Sequence, residues 1–150
     1  MRAVIQRVSH AGVEIGGVQH DSIKMGLLVL LGIEESDSPE DVEWLAGKIA
    51  RLRIFDDENG IMNLSVQDIK GEIMVISQFT LHASTKKGNR PSYIFAAKPD
   101  SAIPLYEKFL KAMAEQANCR IASGIFGAMM NISLTNDGPV TIIIDSKLRW

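Results

Sequence analysis

The sequence predicts a single α+β domain over residues 1–150, with sheets that are largely antiparallel. Three observations predict it. Both ends of the chain alternate apolar and polar residues as half-buried strands do, only two internal segments carry helix signals, and most strand candidates follow one another through tight turns. A chain of 150 residues can bury one real core and is too short for two comfortable domains.

Taken in order, residues 2–8 and 11–15 alternate, and Gly16-Gly17 supplies a tight turn. Residues 26–33 are apolar enough for a strand covered on both faces. The first helix opens at Ser38-Pro39-Glu40-Asp41, which combines an N-cap hydroxyl, proline at the first helical position and carboxylates in the first turn. Val42, Leu45, Ala46, Ile49 and Leu52 then fall on one face. After Arg53-Ile54-Phe55, the cluster Asp56-Asp57-Glu58-Asn59-Gly60 marks a turn, and Ile73-Met74-Val75-Ile76 reads as a buried run. A second helix is expected from Ile103 to Ala117, with Leu105, Phe109, Ala112 and Met113 inward and Pro104 in its first turn. Residues 129–135 and 140–145 read as two strands joined through Gly138-Pro139.

Composition narrows the function classes. Hydrophobic residues make up 46% and charged residues 23%, which excludes disorder and fibrous repeats. No apolar stretch approaches the roughly 20 residues of a membrane span, so no membrane partner is expected. The opening Met1-Arg2-Ala3-Val4-Ile5-Gln6-Arg7 alternates where a signal peptide needs a continuous apolar run, and a cytoplasmic location follows as the expectation. Cys119 is alone, which agrees with a reducing compartment and offers no cysteine pair for zinc. A net charge of −2 argues against broad charge-driven nucleic-acid binding, yet Lys86-Lys87-Gly88-Asn89-Arg90 is a local basic patch.

Two polar motifs stand where the chain should be most apolar. Ser77-Gln78-Phe79-Thr80-Leu81 continues the buried run, and Asn136-Asp137-Gly138-Pro139-Val140-Thr141 precedes Ile142-Ile143-Ile144. A buried polar group without a partner costs about 1–3 kcal/mol, so such segments are candidate sites. If the strand continues, Gln78, Thr80 and His82 share one face, and Ser77, Phe79 and Leu81 share the other; a strand end fraying into solvent is the alternative. His10, His20 and His82 are the only imidazoles, and none stands in a nucleophile-elbow or metal-ligand spacing. Neither a serine-type triad nor a metal is expected. Gly124-Ile125-Phe126-Gly127 matches the GxxG of one RNA-binding fold, but the flanking helices are missing and the segment reads as a backbone feature. Gly138-Pro139 fits an ordinary hairpin turn or a cis peptide that a ligand or another chain approaches closely.

The combination resembles the D-aminoacyl-tRNA deacylases along essentially the whole length. Met1 to Val8, Ser77 to Leu81, Asn89 to Ser92, Phe126 to Met130 and Asn136 to Thr141 carry that resemblance in the family's order, while Tyr93 to Lys98 and Ser146 to Trp150 are less typical. It implies a barrel-like α+β homodimer with two main helices packed outside, needing no cofactor, no metal and no other protein. The implied reaction is hydrolysis of the ester between a D-amino acid, or glycine, and the terminal adenosine of tRNA, which keeps D-residues out of translation. Ser77, Gln78, Phe79 and Thr80 are the implied catalytic segment. Gly138 and Pro139, joined by a cis bond, would enter the partner's site and hold the substrate's α-ammonium, steadied by Arg7. Phe126 and Met130 would surround the terminal adenosine, and Lys86, Lys87 and Arg90 would meet phosphates at the acceptor end. For the chemical step, Thr80 could act as nucleophile, or the adenosine 2′-hydroxyl could assist water with Gln78, Phe79 and neighbouring N–H groups at the oxyanion; the second is preferred because no base is evident for Thr80. Two rival classes remain: a binder of tRNA ends without turnover, and an editing deacylase of inverted chirality with a trans glycine-proline bond.

Overall fold

The chain is described by a computed structural model over residues 1–149; Trp150, the end of the less typical tail, lies outside them. Strands β1 (Arg2–Ile15), β2 (Val18–Ile23) and β3 (Gly26–Gly32) lead into helix α1 (Pro39–Ala50). A small hairpin of β4 (Phe55–Asp56) and β5 (Met62–Leu64) precedes β6 (Glu72–Ser77) and a 3-10 turn over Phe79–His82. Helix α2 (Pro99–Ala117), β7 (Ile121–Ser123) and β8 (Met130–Asp145) complete it.

β1 is the hub of a mixed six-stranded sheet. β8 runs antiparallel along one edge of β1, while β3 and β2 pair antiparallel with its other edge, at residues 2–8 and 11–15 respectively. The chain departs from tight turns twice. The connections through α1 and α2 are long enough to return the chain in the same direction, so β3 with β6 and β6 with β7 form parallel ladders.

Side-chain alternation gives the sheet two buried faces. Leu27, Val29 and Leu31 of β3, with Ile73 and Val75 of β6, face the helices and meet Leu45 and Ile49 of α1 and Phe109 and Met113 of α2. Leu28, Met74 and Ile76 face the other way, against Val8, Ala11, Val13 and Ile23, because the sheet curls nearly into a barrel. This is why the β3 segment is apolar at nearly every position.

Helix α1 starts at Pro39 as its sequence predicts, and in its capping box the Asp41 carboxylate accepts from both the N–H and the hydroxyl of Ser38. Helix α2 begins at Pro99 rather than Ile103, so Pro104 lies inside it. The missing N–H costs one intrahelical bond, which the packing of Ala102, Tyr106 and Phe109 against the core outweighs. Residues 129–135 and 140–145 are not the arms of a hairpin. Both pair with β1 in one direction, with Gln6 opposite Thr141 and Val8 opposite Asn136, and residues 137–140 bulge out opposite Arg7.

Candidate active site

β6 stops at Ser77, and the strand continuation through Gln78, Thr80 and His82 does not form. The Gln78 N–H donates to the Leu31 carbonyl at 2.7 Å, after which the chain coils back across the end of β3. It can do so because residue 32 is glycine: a Cβ there would lie 3.0 Å from both Leu81 Cβ and His82 Cδ2 and 3.1 Å from the Gln78 carbonyl. Arg2 of β1 fixes the far end, donating from Nη1 to the Leu81 carbonyl at 2.6 Å while its Nε bonds Asp145. These supports come from three strands, and no local pattern announces them.

The coil redistributes the motif. Gln78 Nε2 reaches round to Thr80 Oγ1 at 2.6 Å. An amide, whichever end meets the hydroxyl, is no base for activating a nucleophile. His82 turns inward and is buried; its Nδ1 lies 4.0 Å from Glu34 Oε2 and its Nε2 has no partner among the described residues. The main-chain N–H groups of Phe79 and Thr80, at the open first turn, likewise have no acceptor among the described residues. The Gln78 N–H is already committed to Leu31, so it is not an oxyanion donor.

Beside this turn lies a cavity of about 350 Å³. Ser77, Gln78 and Phe79 form one wall, and Phe126, Met129 and Met130 form another. Its floor is apolar, with Leu31, Ile33, Ile76 and Ala102 contributed by the strand ends and the first turn of α2. Phe126 is held by a tilted stack on Tyr106 at 5.7 Å, and the Tyr106 hydroxyl donates to the Val75 carbonyl at 2.9 Å. Burial pushes the Tyr106 hydroxyl up to about 12, so it stays protonated and serves as a rigid backing. In the Gly124–Gly127 segment the chain enters a turn over residues 125–128, closed by the Ala128 N–H on the Ile125 carbonyl at 3.1 Å.

The second motif lies elsewhere in the same chain. The Gly138-Pro139 peptide is cis and exposed, and neither residue lines the cavity. Buried Arg7 anchors the loop: its Nε donates to the Asp137 carbonyl at 2.9 Å, and its Nη1 donates to the Ile54 carbonyl at 2.9 Å and lies 3.3 Å from Asp56 Oδ1. Asn136 braces it from within, bonding Gln6, Thr141 and the Val140 N–H. Gly138 sits at φ +132°, and a Cβ would come within 2.8 Å of Val140 Cγ2 and 3.0 Å of Arg7 Nη2, so a side chain is excluded twice over. Lys86, Lys87 and Arg90 are all exposed on a loop clamped by reciprocal bonds between Ser84 and Ser92, at 2.7 and 2.9 Å. Among the described residues, no three of His, Cys, Asp and Glu cluster in a way that could hold a metal ion.

One chain thus brings Ser77, Gln78, Phe79, Phe126 and Met130 to one cavity; Thr80 does not line it and joins only through its bond to Gln78, and Gly138-Pro139 with its Arg7 anchor lies apart. Gly32 and Arg2 are positioning residues that the motifs alone do not reveal. A glycine closing an otherwise apolar strand was the one signal available for Gly32.

The fold is that of a solved structure described as a probable eukaryotic D-amino acid tRNA deacylase, with a TM-score of 0.81 at 16% identity over 95% of this chain and 97% of that one. A second solved structure, described as c-Myc DNA Unwinding Element Binding Protein, gives a TM-score of 0.90 at 40% identity over 97% and 98%. Residues 4–145 match the family described as D-Tyr-tRNA(Tyr) deacylase. The chain is 61% identical over 149 residues to a D-aminoacyl-tRNA deacylase of Flavobacterium johnsoniae, covering 99% of each. It is 63% identical over 147 residues to one of Parabacteroides distasonis, covering 98% of each. The chain belongs to the D-Tyr-tRNA(Tyr) deacylase family.

Proposed function

We propose that this chain is a D-aminoacyl-tRNA deacylase, hydrolysing the ester that joins a D-amino acid or glycine to the terminal adenosine of tRNA. The observation that carries the reading is the break at Ser77: a strand ends in a tight coil beside a largely apolar cavity, presenting two main-chain N–H groups with no acceptor among the described residues. Its volume lies in the range of small-molecule sites, about 300–1,000 Å³. The terminal adenosine packs between Phe126 and Met130, and the ester lies along Ser77 to Thr80.

The N–H groups of Phe79 and Thr80 stabilise the negative charge that develops on the carbonyl oxygen as water attacks. The water oxygen bonds the carbonyl carbon, the bond to the ribose oxygen breaks, and a water proton reaches that oxygen through the adjacent ribose hydroxyl. Thr80 orients rather than attacks, because its hydroxyl is tied to an amide. Positioning and oxyanion donors are adequate for an ester.

Stereochemistry is read by a second copy of the chain. The Gly138-Pro139 loop projects from its own protomer, held rigid by Arg7 and Asn136, and reaches the cavity of the partner in a homodimer. Its carbonyls take the α-ammonium, and an L side chain then meets main chain. Exclusion by a rigid wall discriminates more strongly than attraction to a pocket. Glycine has no side chain to exclude, so glycyl-tRNA is a substrate too. Phosphates near the acceptor end pair with Lys86, Lys87 and Arg90.

Matched D- and L-aminoacyl-tRNA pairs test this. The D-ester and the glycyl ester are expected to be cleaved and the L-ester spared. Equal cleavage of both enantiomers would remove the stereochemical reading, and binding without turnover would remove the enzymatic one.

A further inference from the structure

The described surface places large apolar side chains where solvent should disfavour them, and a group of these adjoins the cavity. Phe79 is 55% exposed although it lines the wall, and its ring meets Tyr93 edge to face, with centroids 5.0 Å apart and an interplanar angle of 75°. Tyr93 begins a turn, closed by the Ala96 N–H on its carbonyl at 3.0 Å, that exposes Ile94 and Phe95 and leads into Ala97, itself part of the cavity lining. The same loop carries Lys86, Lys87 and Arg90 on the other side of the Ser84 and Ser92 clamp. An aromatic pair at the mouth of the cavity is therefore continuous with it, and Tyr93 follows directly on the clamp residue Ser92 that closes the loop carrying the exposed cations.

We infer that the Phe79 and Tyr93 pair is a stacking subsite for the unpaired nucleobase preceding the terminal adenosine, with the loop cations taking the adjoining phosphates. This rests on the reading that the cavity holds the aminoacylated end of tRNA. Single-stranded nucleic acid is held by this pairing of elements: aromatic faces for the bases and a cationic track for the backbone. An edge-to-face pair leaves one aromatic face free for a third ring, which a parallel stack of the two would cover. Stacking tolerates any base, so the subsite suits an end common to all tRNAs and adds affinity without choosing among them.

The test compares three D-aminoacyl esters, of adenosine, of the trinucleotide cytidyl-cytidyl-adenosine, and of whole tRNA, with the full-length protein and its Tyr93→Ala and Tyr93→Phe variants. The wild type is expected to cleave the trinucleotide ester with a lower KM than the adenosine ester at similar kcat. Tyr93→Ala is expected to erase that advantage, raising KM for the trinucleotide and tRNA esters roughly tenfold, the scale of one lost base stack. Tyr93→Phe keeps the ring and should keep the advantage. An equal loss on all three esters would mean that Tyr93 shapes the cavity or a subunit interface, and unchanged constants would mean that the rings touch no base; either overturns the subsite. Failure of the wild type to cleave any D-ester would overturn the deacylase reading itself, a distinct result.

Discussion

The surroundings of Thr80 argue against its acting as a nucleophile. Its hydroxyl lies 2.6 Å from the Gln78 amide, the one nearby imidazole is buried with no hydrogen bond to it, and no carboxylate is bonded to it among the described residues. Hydroxyl nucleophiles need a base within hydrogen-bond reach. Thr80→Ala is therefore expected to retain much of kcat, whereas Phe79→Pro, which deletes an N–H donor at a position where a helix tolerates proline, is expected to lose roughly 100-fold or more. Rates under single-turnover conditions check this. Equal losses in the two variants, or a trapped acyl group on Thr80, would reverse the assignment.

At the scale of elements, the site exists because a strand ends one residue before a coil that must fold over its neighbour. Gly32→Ala would set a methyl group against Leu81, His82 and the Gln78 carbonyl, pushing the coil outward. A misplacement of about 1 Å costs up to roughly 100-fold in rate, while overpacking costs only about 1–3 kcal/mol of stability. The variant should melt within several degrees of wild type and yet lose most of its activity; full activity would mean that the coil is not positioned through Gly32. The elements also differ in how much of them was legible. Helix α1 announces itself through Ser38-Pro39, because caps are local chemistry. Ser77 to His82 does not: its alternation reads as more strand, and the carbonyl of Leu31 and the room above Gly32 that bend it come from elsewhere in the chain. The same holds for the bulge at residues 137–140, which depends on both halves of β8 pairing with β1. The start of α2 was hidden because Pro104 looks like a helix beginning when read without its core contacts. The motifs of the candidate site, and Arg7 beside its loop, were legible; Gly32 and Arg2, which hold the coil, were not.

For the whole molecule, the two ends of the described chain meet under α1. The Met1 amino group bonds Asp37 and Ser146, and the Ser146 hydroxyl donates to Asp41 at 2.7 Å, as does the Lys147 ammonium. Burial alone would raise the Asp41 carboxyl, but the bonds from Lys147, Ser146 and Ser38 outweigh it and hold the carboxyl well below its ordinary range. A depressed carboxylate stabilises the fold above its unfolded pKa, near 3.9, and that contribution is lost as pH falls towards the folded value. Lys147→Ala should therefore lower the melting temperature at neutral pH, with a gap from wild type that closes as the pH is taken below about 4. A gap that is constant with pH would mean that the pair is not what holds Asp41 down. The proposed homodimer requires, at the same scale, that a working site take its cavity from one chain and its wall from another. A mixed dimer, purified through two different tags, of a Gly138→Val protomer and a Phe79→Pro protomer is the direct measurement. Each variant alone should fail on D-aminoacyl-tRNA. The mixed dimer should recover one working site, because the intact cavity of the first chain meets the intact loop of the second. No recovery in the purified mixed dimer, or no mixed dimer to purify, would contradict it.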